Sequence, residues 1–162
     1  MTNCSYNPYQ VISKDPSLSI LKKLIDLAGY QSVVAGLKNS TIFAPTNSAF
    51  ASNAGLADYL MDPANKNLLK NVLLYHITAS ALTTTQLVPT RVLTMKNNVT
   101  TTIYAALYYP FLPTIQDQIQ ENYNVTEGNI ATYCGNYIQK ISGVMLPEPV
   151  YYPKFLNANW GY

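Results

Sequence analysis

The run Thr41-Ile42-Phe43-Ala44-Pro45-Thr46-Asn47-Ser48-Ala49-Phe50 decides how this chain folds. Its first four residues form a short β run, and Pro45, which has no amide to give to a ladder, halts it. Thr46 or Asn47 then offers the short polar side chain that caps a helix, and Ala49 and Phe50 supply the first apolar turn. The expectation is a strand that turns a corner into a helix, anchored on either side by Phe43 and Phe50. Deleting one buried Phe side chain costs about 3–5 kcal/mol, a large share of the roughly 5–15 kcal/mol that holds a domain together. The role assigned to the block is therefore structural first and partner-binding second.

Upstream, Asp15-Pro16-Ser17 reads as a helix start after a loose opening that contains Pro8. Leu18, Leu21, Leu24, Ile25 and Ala28 then recur at three and four, the apolar stripe of an amphipathic helix, and Gly29 is placed to end it in a left-handed conformation. A shorter helical piece runs from Gln31 to Leu37. Downstream, Leu56 to Met61 and Ala64 to Ile77 read as two helices punctuated by Asp62-Pro63, with Leu69, Val72, Leu73 and His76 sharing a face. From Arg91 the chain changes character. Val92 to Met95, the turn Lys96-Asn97-Asn98 and the β-branched run to Tyr104 read as a hairpin. Between 105 and 132, Pro110 and Pro113 break the pattern and Ile115 to Ile119 suggests a helical turn; a final strand spans Tyr137 to Met145, before Pro147. Helices first and strands later predict an α+β domain.

The composition narrows the function. The chain has 162 residues, one domain's worth, with 48% hydrophobic and 11% charged residues against about 25% charged in a typical soluble domain. Such a balance opposes intrinsic disorder and requires a surface of neutral polar groups and tyrosines. A net charge of +2 without a Lys/Arg cluster leaves no electrostatic footprint for nucleic acid. No apolar stretch reaches the ~18 residues of a membrane span, and the opening MTNCSYNPYQ lacks the layout of a secretory leader. Cys4 and Cys134 exclude CxxC signatures by their distance; a disulfide between them and two separate thiols stay equally open.

Chemistry-bearing residues are sparse. His76 is the single histidine, and neither a nucleophile nor further metal ligands accompany it, so it reads as a core histidine with both ring nitrogens hydrogen-bonded. The eight carboxylates are scattered apart from Asp58 and Asp62, whose spacing of four marks a solvated helix face. No GxSxG or phosphate-cradling glycine loop occurs. Neither enzymatic activity nor a cofactor or metal is expected.

TIFAPTNSAF (residues 41–50) resembles the first signature of the fasciclin domain family almost residue for residue. In the same order, NVLLYHIT (71–78) resembles that family's tyrosine–histidine segment and YIQKISGVMLP (137–147) its closing strand. The resemblance implies a fasciclin-like domain over 15–147, with helices packed on a bent, wedge-like β-sandwich. Residues 1–14 then form an N-terminal extension, 105–132 an insertion in a loop, and 148–162 an aromatic tail. Thr41, Phe43, Pro45, Thr46, Asn47, Phe50, Tyr75 and His76 become the family-motif residues. In animal members the tyrosine–histidine segment is implicated in integrin adhesion, which makes Tyr75 and His76 candidates for partner contact. The sequence departs from the family where many members carry a histidine and an aspartate in the closing strand: Gln139 and Ser142 stand there. Gly135-Asn136 replaces the usual Asn-Gly before it.

The tail EPVYYPKFLNANWGY places Tyr151, Tyr152, Phe155, Trp160 and Tyr162 among prolines that prevent a helix, a composition that suits an interface. Asn3, Asn39, Asn98 and Asn124 head N-glycosylation sequons. The resulting expectation is a non-enzymatic adhesion or interaction module, extracellular or on a cell surface, whose partners are cell-surface or matrix proteins, with glycans as a further class. The alternative is a structural component of a larger assembly, such as a capsid protein at a virion surface, anchored by the tail and the insertion.

Overall fold

The structure, a computed structural model, describes residues 6–53, 55–87, 91–104, 113–132 and 135–150. Residues 8–14 are not part of the loose opening expected. Helix α1 (Pro8–Lys14) begins on a reciprocal cap in which Asn7 Oδ1 accepts from the Gln10 amide at 2.9 Å and Gln10 Oε1 accepts from the Asn7 amide at 3.0 Å. The helix packs against the two that follow it, and Ile12 is fully buried. Asn-Pro followed by Gln was a complete start signal; with seven residues, however, the helix is too short for its apolar positions to show a period.

Asp15 accepts from the Ser17 amide and opens a 3-10 turn, Pro16–Leu18, that feeds α2 (Ser19–Ala28). Gly29 ends α2 at φ 74, a conformation that any Cβ would strain, and the Tyr30 amide closes the end on Ile25 O. After α3 (Gln31–Ala35), strand β1 (Thr41–Pro45) runs into α4 (Asn47–Ser52), the corner the sequence called for. Helix α5 (Leu56–Met61) follows. The stretch expected as one helix to Ile77 is a 3-10 turn, Pro63–Asn65, then α6 (Lys66–Tyr75), and Ile77 belongs to β2 (Ile77–Thr78). The change of structure at His76 lets the backbone of Ile77 pair with β1.

The hairpin of β3 (Val92–Thr94) and β4 (Thr100–Tyr104) forms as expected. The tract after it is not a loop throughout. Thr114–Gln116 is strand β5 and Asn122–Thr132 is the eleven-residue β6. The four-residue spacing of Ile115 and Ile119 had suggested a helical turn, yet the two side chains serve different cores, Ile115 from the strand and Ile119 from the turn after it. Strand β7 (Asn136–Ile141) ends four residues before the expected Met145, because the chain then bends away through Ser142 and Gly143 with the Tyr123 ring packed on Gly143.

Among the described residues the seven strands form one sheet in the order β2-β1-β7-β6-β5-β4-β3, with β1 and β7 parallel and every other pair antiparallel. Its two edges meet at one corner. Thr78 and Met95 form an isolated bridge, the Lys96 amide donates to Ile77 O at 2.8 Å, and the Thr78 hydroxyl donates to Thr94 O at 3.0 Å. The curled sheet is thus a wedge with an interior of its own, and β1 is buried along its whole length. Ile42 and Ala44 face a core shared with the helices, which includes Leu21, Leu24, Ile25, Leu69 and Leu73. Phe43 faces the enclosed core, with Tyr75, Leu93, Met95, Ile103 and Ile115.

Candidate functional site

The motif residues converge where β1, the end of α6 and the crossing after β7 meet. Phe43 and Phe50 are buried, one in each core. The Thr46 hydroxyl caps α4 by accepting from the Ala49 amide at 3.3 Å. Asn47 ties this corner to the start of α2: its Oδ1 accepts from the Ile20 amide at 3.0 Å, and its Nδ2 donates to Pro16 O and Ser19 Oγ. Pro45 is buried as the last residue of β1. The Thr41 hydroxyl is sealed in as well, donating to Ser80 O at 2.6 Å and accepting from the Leu82 amide at 2.8 Å.

Tyr75 and His76 turn inward. The Tyr75 hydroxyl donates to Thr100 O at 2.7 Å, and burial pushes its pKa up to about 12. His76 is buried with Nδ1 2.7 Å from Val72 O and Nε2 3.0 Å from the Met145 amide. A carbonyl on one side and an N–H on the other fix the tautomer: Nδ1 carries the proton and Nε2 accepts. Burial pushes the imidazole down to about 4, against the opposing pull of the Val72 carbonyl, so the ring is neutral at physiological pH. The Phe43 amide donates to His76 O at 2.8 Å and links this pair directly to the first signature.

Several groups that the sequence did not single out complete the site. Asp117 holds four donors: the Ile119 and Glu121 amides on Oδ1, and the Tyr123 hydroxyl and Leu146 amide on Oδ2. Burial raises its carboxyl above the ordinary value in spite of those bonds. Lys140 reaches Asp15 at 2.6 Å and Glu127 at 3.2 Å; burial opposes its charge, but these carboxylates raise its pKa. Its donation to Ser17 Oγ makes it the link between β7 and the entry to α2. An Asp before a turn and a Lys at a strand position that faces helices are weak signals without knowledge of the partner. At the family departures, Gln139 accepts from the Asn129 amide and donates to Leu82 O inside the wedge, while Ser142 Oγ accepts from the Asn124 amide. Asn136 is buried and bonds to the Ser40 amide and Leu37 O. Among the described residues, every buried side-chain nitrogen or oxygen has a hydrogen-bond partner.

Asn39, Asn98 and Asn124 are exposed, the first two at φ 50 and φ 67, whereas Asn3 lies outside the described residues. So do Cys4, Cys134 and the aromatic residues Tyr151, Tyr152, Phe155, Trp160 and Tyr162. Asp58 and Asp62 are both exposed, Asp62 as a cap that accepts from the Ala64 amide. Among the described residues no His/Cys/Asp/Glu group could hold a metal ion, and no helix is long and apolar enough to cross a membrane.

A wedge of sheet with helices on one side and a buried tyrosine–histidine pair at the junction defines a fasciclin-type domain. The chain belongs to the fasciclin domain family, whose model matches residues 16–147. Its fold is similar to that of a domain pair from the insect cell adhesion molecule fasciclin I, with a TM-score of 0.75 at 15% identity over 88% of this chain and 51% of that one. It is 30% identical over 86 residues to the protein sll1483 of Synechocystis sp., which covers 52% of this chain and 48% of that protein. The chain thus spans about half the length of each of these relatives. Fasciclin domains are typically adhesion or interaction modules, commonly extracellular or surface-associated.

Proposed function

We propose that this chain is a non-enzymatic contact module displayed on a cell or particle surface, which engages cell-surface or matrix proteins through its outward face. The observation that carries this reading is the inward orientation of Tyr75 and His76. The histidine's ring nitrogens and the tyrosine's hydroxyl are committed to backbone partners, so the pair serves the scaffold and partner contact falls to exposed residues. The apolar side chains of Leu27, Val33 and Val92 stand out from a surface otherwise rich in neutral polar groups, and the sequon residues Asn39, Asn98 and Asn124 are exposed.

The test is a cell-attachment assay on surfaces coated with the full chain or with a variant that ends at Pro147. The reading expects saturable attachment, competed by soluble protein and retained by the shortened variant, which should stay folded and monomeric. A full chain that sediments as an assembly and loses both assembly and attachment on shortening would instead favour the structural-component alternative, with Tyr151, Tyr152, Phe155, Trp160 and Tyr162 as its interface.

A further inference from the structure

Two consecutive amides after β7 are held by ionisable side chains from opposite parts of the fold. The Met145 amide donates to His76 Nε2 at 3.0 Å, and the Leu146 amide to Asp117 Oδ2 at 2.9 Å. The Leu146 carbonyl in turn accepts from the Gln118 amide at 3.3 Å. The side chains alternate between the two cores, Val144 and Leu146 on the helix side and Met145 inside the wedge. This stretch is the seam that joins them.

The two acceptors answer acid in opposite ways. Nδ1 of His76 already carries the hydrogen given to Val72 O, so a second proton can enter only at Nε2. There it would set N–H against the N–H of Met145, abolish the bond and leave a buried cation. Around the ring, among the described residues, only the Val72 carbonyl on Nδ1 favours that cation: Ile25, Val34, Ile42, Leu73 and Ile77 are apolar, the Tyr75 ring lies edge-on to it, and Lys70, itself a cation, stands over the Tyr30 ring. Asp117 faces Tyr123, Tyr75 and the backbone of the β5–β6 turn. A proton on Oδ2 can point at the Tyr123 oxygen, leaving a lone pair for the Leu146 amide, while Oδ1 keeps its two amides.

We propose that residues 144–146 form a one-sided acid latch, in which protonation of His76 releases Met145 while Asp117 holds Leu146 in place. Acid then opens the seam locally at the Met145 amide, before the sheet itself gives way. This is a regulatory property of the scaffold and does not depend on which partner the outer surface binds.

The test is amide hydrogen exchange on the full chain by NMR, with protection factors corrected for intrinsic rates, followed from neutral pH down through about 4, where His76 titrates. Met145 should lose at least roughly tenfold more protection than Leu146 and the β1–β7 ladder as the His76 ring nitrogens titrate, the ladder falling only with global stability. His76→Gln, which cannot take up the proton, should abolish the pH step at Met145. Should that variant fail to fold, the wild-type ring titration and the Met145 amide must still share one midpoint. The latch is refuted if Met145 stays protected after the ring has titrated. It is equally refuted if Met145, Leu146 and the ladder lose protection by the same factor, or if Leu146 opens first.

Discussion

The two sides of β1 are built by different means. On the helix side, Ile42 and Ala44 meet leucines and isoleucines spaced at three and four along α2 and α6, with polar ties such as Asn47 and Lys140 at the margin. Inside the wedge, Phe43 meets residues from β3, β4, β5, α6 and the stretch after β7, with Leu82 and Leu87 contributed by a segment without regular structure. Helices can shift against a sheet, whereas a curled sheet whose edges are bonded at Thr78 and Met95 has little freedom to close over a void. The enclosed core should therefore be the less forgiving of the two.

Truncation on each side tests that contrast most strongly. Phe43→Ala is expected to cost about 3–5 kcal/mol, and Leu24→Ala to fall in the lower half of the roughly 2–5 kcal/mol range for buried leucines, both read by denaturant unfolding. A Leu24 variant that loses as much as the Phe43 variant would erase the distinction.

Next in size is the pH dependence of the seam. The folded pKa of His76, about 4, lies below its ordinary value of 6.5. Well above the ordinary value both folded and unfolded chains are neutral there, and this group's contribution to stability is intact. As pH falls from 6.5 towards 4, the unfolded chain takes up the proton first, and stability drops by an amount on the order of 3 kcal/mol. His76→Gln should flatten that part of the curve. Asp117, whose carboxyl is raised, works the other way: acid favours its folded form, so its substitution should not remove the fall.

Smaller effects belong to the corner and the surface. Thr46→Ala removes the cap of α4 and should cost about 1 kcal/mol, with Thr46→Ser restoring most of it. Lys22→Ala breaks the half-exposed pair with Asp26 on α2 and should leave the thermal midpoint unchanged within error. A clear drop would mean that the helix-side margin carries more of the stability than its apolar interior suggests.

The same contrast explains what was legible in the sequence. Helices α2 and α6 and the corner after β1 announce themselves through local spacing and caps, and the hairpin of β3 and β4 through its β-branched runs. Strand β5 was obscured because Ile115 and Ile119 mimic a helical period while serving different cores, and β6 because its register shifts near Glu127 break the alternation. The single histidine was readable as a core residue from its apolar helix face. Its partner at Met145 and the Leu146 amide on Asp117 come from sequence separations that no local pattern encodes, whereas the Ile119 and Glu121 amides on Asp117 belong to a local turn. The wedge interior is a product of topology, and so were the groups that one-dimensional reasoning missed.

On the function proposed, Tyr75 and His76 hold the scaffold together and leave the partner to exposed residues. Thermal unfolding of His76→Ala beside cell attachment, normalised to folded protein, tests it most directly. A clearly lowered melting temperature is expected, with attachment per folded molecule unchanged. An unaltered melt accompanied by lost attachment would contradict it.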